Sequence, residues 1–269
     1  MGVFEAIILG IVQGATEFLP VSSTGHLILM RSFLEVSDSH ALAFDAVLHL
    51  ATAAAVIVYF RRDIISLLQT LLRMMGRLPV DAKNQTLLTA LIVGTIPAVV
   101  LGLLLESYME SVFRNPILVA VVLVLGSVFF MVAEFLYKGG RQKKTIETHT
   151  GFKIGLFQSL ALIPGMSRSG ATIAGGMMLG LSRVEAARFA FLLAVPVILG
   201  AGAKKMLELA TADTAIAWMP IAIGAATAFL VGLAAIHFML AFVRNHTLWP
   251  FIWYRIILAG IVVFFVLVA

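Results

Sequence analysis

The side chains best suited to chemistry in this chain lie in two short polar stretches within otherwise apolar sequence. The first stretch offers an amide, a carboxylate, hydroxyls and an imidazole, and the second offers hydroxyls and a guanidinium. The first contains Gln13, Glu17, Ser22, Ser23, Thr24 and His26, and the second contains Ser167, Arg168, Ser169, Gly170 and Thr172. Together these groups can neutralise negative charge and move a proton, so the pattern indicates a site for an anionic phosphate.

Arg168 is the strongest single signal in the two stretches. An arginine in an apolar membrane segment costs about 2.5–3.5 kcal/mol on insertion scales and marks a functional site by default. Its planar guanidinium matches a phosphate bidentately, and the following Ser169 and Gly170 lie at a predicted helix start, where free N–H groups attract anions. The alternative is a structural ion pair with Glu17, and the two roles are compatible.

Glu17 lies one helical turn after Gln13, so both side chains project from the same helix face. A carboxylate and an amide oxygen at this spacing predict a site for Mg²⁺ or Ca²⁺, which prefer oxygen ligands and keep several waters. Glu17 could instead act as a general base, or serve only as the counter-ion of Arg168. These three roles stay open at this point.

The serine hydroxyls could donate to phosphate oxygens, and one of them could attack as a nucleophile. A hydroxyl nucleophile needs an adjacent base, and His26 lies three residues after Ser23, so we expect Ser23 to attack and His26 to carry its proton. The alternatives are serines bonded to the carbonyl four residues earlier and a satisfied buried histidine. The other members of the two stretches are predicted to bind substrate: Gln13, Ser22, Thr24, Ser167, Ser169, Gly170 and Thr172.

Apart from the two polar stretches, Asp45 and His49 lie four residues apart on one helix face of an apolar segment. They could support the site, carry protons or form a local hydrogen-bonded pair, and we expect the local pair.

The two polar stretches are copies of one another. Gly10, Gln13, Ser22 and Gly25 recur 145 positions later as Gly155, Gln158, Ser167 and Gly170, and Thr24 is matched by Ser169. Interrupted apolar segments at corresponding places in two halves predict a site at the interface between repeats. We therefore expect one membrane domain, residues 1–269, built from repeats over approximately residues 1–137 and 150–269.

Composition places the chain in a membrane. Hydrophobic residues make up 61% and charged residues 12% of the sequence, the mean hydropathy is +1.05, and soluble domains carry about 25% charged residues. The absence of cysteine from the sequence excludes disulfides, thiolate catalysis and cysteine metal sites. The net charge of +5 is modest and reports loop orientation, so we expect membrane lipids rather than nucleic acid as partners.

Apolar length predicts an all-α polytopic membrane protein with six transmembrane helices and two re-entrant helix pairs. About 20 apolar residues cross a bilayer as a helix, and six segments qualify: residues 41–59, 85–105, 116–137, 184–203, 215–242 and 250–269. Four segments are too short and are assigned to the re-entrant pairs: residues 3–18, 26–34, 152–163 and 170–181. Residues 64–75 predict a helix lying at the membrane interface.

The distribution of basic residues predicts the orientation of these segments. Residues 61–83 and 138–153 are rich in Lys and Arg and should face the cytoplasm by the positive-inside rule, whereas the acidic turn 106–115 should face outward. The first re-entrant pair then enters from outside and the second from inside, so the halves are inverted repeats. Small-residue spacing at Gly10/Gly14 and Gly176/Gly180 predicts close helix contacts, within the chain or in a homodimer.

These motifs resemble those of the bacterial undecaprenyl-diphosphatase family, the bacitracin-resistance type of membrane phosphatase. One signature is a Glu/Gln-x-x-x-Glu box, here Gln13 to Glu17, continuing through the Pro-Val-Ser-Ser-Thr-Gly-His segment to His26. The other is a Pro-Gly-x-Ser-Arg-Ser box, here Pro164 to Ser169. The resemblance covers essentially the whole chain, and Gln13 stands where some members carry Glu, which makes the site one charge less acidic.

The resemblance implies hydrolysis of undecaprenyl diphosphate to undecaprenyl phosphate and inorganic phosphate, which recycles the lipid carrier of cell-wall synthesis. It also implies a divalent cation, a bacterial plasma (inner) membrane location and a site open to the outer face. In the family the nucleophile is given as the serine matching Ser23, the histidine matching His26, or water. A polyprenyl-phosphate or phosphate transporter is the alternative, because transporters also use inverted repeats with broken helices.

Overall fold

The computed structural model describes residues 1–36, 41–105, 115–137, 146–211 and 218–268. Over these residues the chain forms eleven α-helices and no β-strand, which confirms the predicted all-α class. The helices are α1 (Val3–Phe18), α2 (Ser23–Phe33), α3 (Ala41–Tyr59), α4 (Arg61–Met75), α5 (Ala82–Leu104), α6 (Pro116–Leu136), α7 (Thr148–Ser159), α8 (Arg168–Met178), α9 (Arg183–Thr211), α10 (Trp218–Asn245) and α11 (Trp249–Val268). A 3₁₀ turn at Leu160–Leu162 extends α7.

The long helices match the predicted spans. Within the described residues, α5, α6, α9, α10 and α11 are long and apolar enough to cross a membrane, and α3 makes a sixth if it is counted with α4. The axis of α4 turns by 86° from that of α3, as expected for a helix lying at the interface. Residues 106–114 of the acidic turn predicted to face outward, and residues 138–145 of the second basic segment, lie outside the described residues.

The re-entrant helices end at prolines, and they do so in the same way in both halves. α1 stops at Phe18, and Leu19 is extended before Pro20, because the residue before a proline is pushed out of the helical region. In the second half Ile163 is extended before Pro164. We call residues 19–22 the first tip and residues 163–167 the second tip; α2 and α8 begin immediately after them.

The two halves interlock through helices with small residues at their contacts. A Cβ added to Gly10 in α1 would lie 2.5 Å from the Gly224 carbonyl oxygen in α10, and one added to Gly155 in α7 would lie 2.1 Å from that of Gly94 in α5. The re-entrant helix of each half therefore packs backbone to backbone on a span of the other half. A Cβ on Gly14 would also meet α10, 2.7 Å from the Ala228 oxygen, so the Gly10/Gly14 face serves packing within the chain.

Candidate active site

Each tip ends in a serine with an unusual backbone conformation. Ser22 has φ 76° and Ser167 has φ 73°, a region that residues other than glycine rarely occupy and that is concentrated at functional sites. Each hydroxyl caps the following helix, accepting from the Gly25 amide at 3.4 Å and from the Gly170 amide at 3.2 Å. The caps are followed directly by Ser23 and Arg168, the first residues of α2 and α8, and both of these side chains contact Glu17.

The structure brings the two predicted polar stretches into direct contact. The Ser169 hydroxyl donates to the Leu19 carbonyl oxygen at 3.0 Å, so the start of α8 is tied to the first tip. Because that bond uses the only Ser169 hydroxyl proton, Ser167 donates in the 3.2 Å contact between the two serine oxygens. Arg168 Nη2 donates to Glu17 Oε1 at 2.5 Å, which forms the ion pair anticipated from the sequence.

Glu17 is the centre of the site. Its carboxylate is buried, and Oε2 accepts from Ser23 Oγ at 2.7 Å and from Gln13 Nε2 at 3.0 Å. The spacing in the sequence suggested His26 as the partner of the Ser23 hydroxyl, whereas in the structure this hydroxyl donates to Glu17. A carboxylate that accepts a serine proton and also faces a guanidinium is arranged for attack by that serine on an anion.

Two buried polar atoms beside Glu17 have no hydrogen-bond partner among the described residues. They are Arg168 Nη1 and Gln13 Oε1. Buried polar atoms are almost always satisfied, so these two could bind a ligand; among the described residues, Gln158 and Glu5 also carry such atoms. Nη1 offers a donor to an anion, and Oε1 offers an oxygen to a cation.

The donor set fits a hard divalent cation. Gln13 Oε1 and the Glu17 carboxylate supply two oxygens of the type that Mg²⁺ and Ca²⁺ prefer, and Mg²⁺ is commonly held by one or two carboxylates with waters and substrate phosphates. Over the described ranges of the chain, no group of three His, Asp or Glu side chains forms a ready-made metal cage. A cation at this site would therefore share its coordination with water and substrate.

His26 is held by groups other than Ser23. Its Nδ1 lies 2.7 Å from the Ser22 carbonyl oxygen and its Nε2 lies 2.6 Å from the Tyr254 hydroxyl. A carbonyl oxygen can only accept, so Nδ1 carries the proton, and Nε2 of the neutral ring accepts from Tyr254. The two rings are stacked with 4° between their planes, which fixes the orientation of the imidazole.

Tyr254→Phe should remove the hydrogen bond to His26 Nε2 and leave the proton on Nδ1, because the Ser22 carbonyl still requires a donor. The measurement is the ¹⁵N NMR spectrum of histidine-labelled protein, with His26→Asn to assign the resonance. Tyr59→Phe is the matched control, because the Tyr59 hydroxyl also lies beside a histidine ring, 3.2 Å from Nδ1 of His237. A proton found on Nε2 of the parent protein would contradict the assignment.

The expectation for Asp45 and His49 is wrong. Both oxygens of Asp45 accept from the guanidinium of Arg31, and His49 Nδ1 lies 2.9 Å from Gln13 Nε2 and 3.5 Å from Glu17 Oε2. His49 thus belongs to the site and Asp45 to an ion pair between α2 and α3. Packing of α1 against α3 carries this histidine to Gln13, which spacing along α3 alone could not indicate.

Arg255 is a site residue that the motifs do not include. It lies in α11 with 0% of its surface exposed, and its guanidinium donates to carbonyl oxygens of both tips. The available signal was an arginine inside the last apolar segment, which on general grounds marks function.

The other predicted binding residues differ in what they can offer. Thr24 is exposed in the first turn of α2. The Thr172 hydroxyl donates to the Arg168 carbonyl oxygen at 2.6 Å, so its proton is used within α8. Gly170 is needed for packing, since a Cβ there would lie 2.0 Å from the Phe130 ring, and its amide is used by the Ser167 cap.

Comparison with known proteins identifies the family of this chain. The family described as bacitracin resistance protein BacA matches residues 6–261. An undecaprenyl-diphosphatase of Marinobacter nauticus is 39% identical, covering 97% of this chain and 98% of that protein. Undecaprenyl-diphosphatases of Trichlorobacter lovleyi and Kineococcus radiotolerans are 42% and 41% identical over 95% and 97% of this chain, and over 94% and 93% of their own lengths. The chain, in which Glu17 before the first tip pairs with Arg168 after the second, belongs by these matches to the BacA family.

Proposed function

We propose that this protein hydrolyses undecaprenyl diphosphate to undecaprenyl phosphate and inorganic phosphate. The observation that carries the proposal is the contact of Glu17 with Ser23 on one side and Arg168 on the other. This contact places a hydroxyl, a proton acceptor and a cationic anion-binding group at one point. Membership of the BacA family and the names of the relatives support the lipid diphosphate as substrate.

In the proposed reaction Ser23 Oγ bonds to the terminal phosphorus while its proton passes to Glu17 Oε2. The bond between that phosphorus and the bridging oxygen breaks, and undecaprenyl phosphate leaves with the bonding electrons. Water then attacks the phosphoserine, inorganic phosphate leaves, and the proton on Glu17 returns to the serine oxygen. Phosphoryl transfer depends mainly on positioning and charge stabilisation. Arg168 Nη1, which has no partner among the described residues, supplies the charge stabilisation.

A divalent cation, Mg²⁺ or Ca²⁺, completes this proposal. Glu17 and Gln13 would hold it, and it would neutralise charge on the diphosphate oxygens. The support is the buried Gln13 Oε1 that no described residue satisfies.

The proposed location is the bacterial plasma (inner) membrane, with the site open to the outer face and the substrate drawn from the surrounding lipid. The distribution of basic residues supports this orientation. The connection that follows α4 carries Arg77, and Lys83 lies in the first turn of α5, which supports a cytoplasmic location for that end of α5. The first tip, which carries Glu17 and Ser23 on its flanking helices, then enters from outside.

The test is phosphate release by purified protein in detergent, with undecaprenyl diphosphate as substrate. We expect stoichiometric release of inorganic phosphate and formation of undecaprenyl phosphate. A transporter with the same anion site would bind the lipid and release no phosphate, so that result would refute the hydrolase proposal.

Arg168→Lys should lower the rate of phosphate release by about 100-fold, on the scale of losing one charge-stabilising donor. A lysine ammonium is a point charge that cannot contact Glu17 and phosphate through a planar fork. Arg183→Lys is the control, because Arg183 forms a similar pair with Glu134 and the two arginine side chains are 17% and 18% exposed. Near-normal turnover by folded Arg168→Lys would exclude the phosphate-binding role.

A further inference from the structure

We propose that Arg255 is a positioning residue that holds the two tips in register, so that Ser23 and Arg168 face the same phosphorus. The inference rests on the proposed hydrolysis and adds a residue from the last helix, which neither polar stretch contains. Its basis is a set of hydrogen bonds from one guanidinium to both halves of the protein.

The guanidinium of Arg255 reaches the backbone of each tip. Nη2 donates to the Gly165 carbonyl oxygen at 2.9 Å, and Nη1 donates to that of Met166 at 3.1 Å. Nη1 also reaches the Pro20 carbonyl oxygen at 3.5 Å. One planar group therefore spans the gap between the first and second tips.

The same side chain is anchored to α6. Nη2 donates to the Leu123 carbonyl oxygen at 3.2 Å, Nε donates to Ser127 Oγ at 3.3 Å, and the guanidinium carbon lies 4.7 Å from the centre of the Phe130 ring. These contacts fix the plane of the guanidinium. A fixed plane means that the two tips are held at a set distance from each other and from α6.

The tips need such a donor because their backbone is irregular at membrane depth. The Pro20, Gly165 and Met166 carbonyl oxygens lie between helices, and irregular backbone in a membrane persists only where protein groups satisfy it. Gly165 has φ 100°, a conformation that favours glycine, and its carbonyl oxygen accepts from Arg255. The groups that accept from Arg255 are neutral carbonyl and hydroxyl oxygens. Hydrogen bonds to these oxygens offset the free-energy cost of burying the guanidinium charge.

The carbonyl groups that Arg255 binds lie close in sequence to the two reacting side chains. Pro20 lies three residues before Ser23, and Met166 lies two residues before Arg168. A shift of either carbonyl would move the nucleophile relative to the anion-binding group. A misplacement of about 1 Å can lower a rate by about 100-fold.

The experiment compares Arg255→Lys and Arg255→Met with the parent protein. Lysine keeps the positive charge but has no planar fork to join the three carbonyl oxygens of the tips, so we expect kcat to fall by about 100-fold in both variants, with KM changed less than about threefold. Hydrogen–deuterium exchange should accelerate in residues 19–26 and 163–170 together. Arg183→Met is the control: its loss breaks the pair with Glu134 and should leave exchange at both tips unchanged.

The exchange measurement does not depend on turnover, so it separates this inference from the hydrolase proposal. Faster exchange in both tips of Arg255→Lys supports the positioning role even if the parent released no phosphate. Unchanged exchange, or acceleration in one tip alone, would overturn it even in an active enzyme. Full recovery of kcat by lysine would also overturn it, because charge alone would then suffice.

Discussion

Ser23→Ala should reduce phosphate release from undecaprenyl diphosphate by at least about 10⁴-fold, on the scale of removing a serine nucleophile. Alanine has no oxygen to bond to phosphorus, and the Glu17 carboxylate loses the proton it would accept. Binding of the lipid diphosphate should persist, because Arg168 is untouched. The measurements are single-turnover phosphate release and equilibrium binding of the substrate.

Ser159→Ala is the matched control for this loss. The Ser159 hydroxyl is buried and donates to the Gly155 carbonyl oxygen four residues earlier at 3.0 Å, so its removal should leave turnover unchanged. His26→Ala should slow turnover far less than Ser23→Ala, since His26 contacts Tyr254 and the tip backbone rather than Ser23. Robust turnover by Ser23→Ala with a trappable phosphohistidine would instead assign the attack to His26.

Glu17→Gln should lower turnover by about 10³-fold, within the range for loss of a general base. The amide keeps the shape of the carboxylate but cannot take the Ser23 proton, and it removes the charge opposite Arg168. The response of activity to added Mg²⁺ or Ca²⁺ should weaken in the same variant. Phosphate release is measured across a cation titration, together with the melting temperature.

The control for Glu17→Gln is Glu134→Gln. Glu134 is equally buried, with 5% of its side chain exposed, and pairs with Arg183 as Glu17 pairs with Arg168. Breaking either pair leaves a buried arginine unpaired, which costs about 3–5 kcal/mol. If both variants lose similar stability and only Glu17→Gln loses activity, Glu17 has a chemical role. Unchanged activity of Glu17→Gln would exclude both the base and the cation roles.

The two tips share one backbone arrangement but present different functional groups. Arg168 occupies the position in the second copy that Ser23 occupies in the first, each at the first residue of a helix capped by a serine of positive φ. The backbone arrangement is thus the same at both positions while the side chains differ. Since the two tips approach each other, the repeated position presents a hydroxyl from one side and a guanidinium from the other.

The sequence alone determined the helices and their interruptions. Spans follow from apolar length, and the tips follow from Pro20 and Pro164, because proline ends a helix through local backbone geometry. The ion pair between Glu17 and Arg168 was also foreseeable. Two opposite charges in apolar segments, placed at corresponding breaks of a duplicated chain, have few other partners within reach.

Only the tertiary structure decided which groups touch which. Ser23 donates to Glu17 rather than His26 because the tip folds α2 back on α1, and His49 meets Gln13 because α3 packs beside them. Tyr254 reaches His26, and Arg255 reaches Pro20 of the first tip, from more than 200 residues away along the chain. Such contacts depend on how helices of the two halves pack, and hydrophobic pattern specifies which face is buried but not which side chain lies opposite.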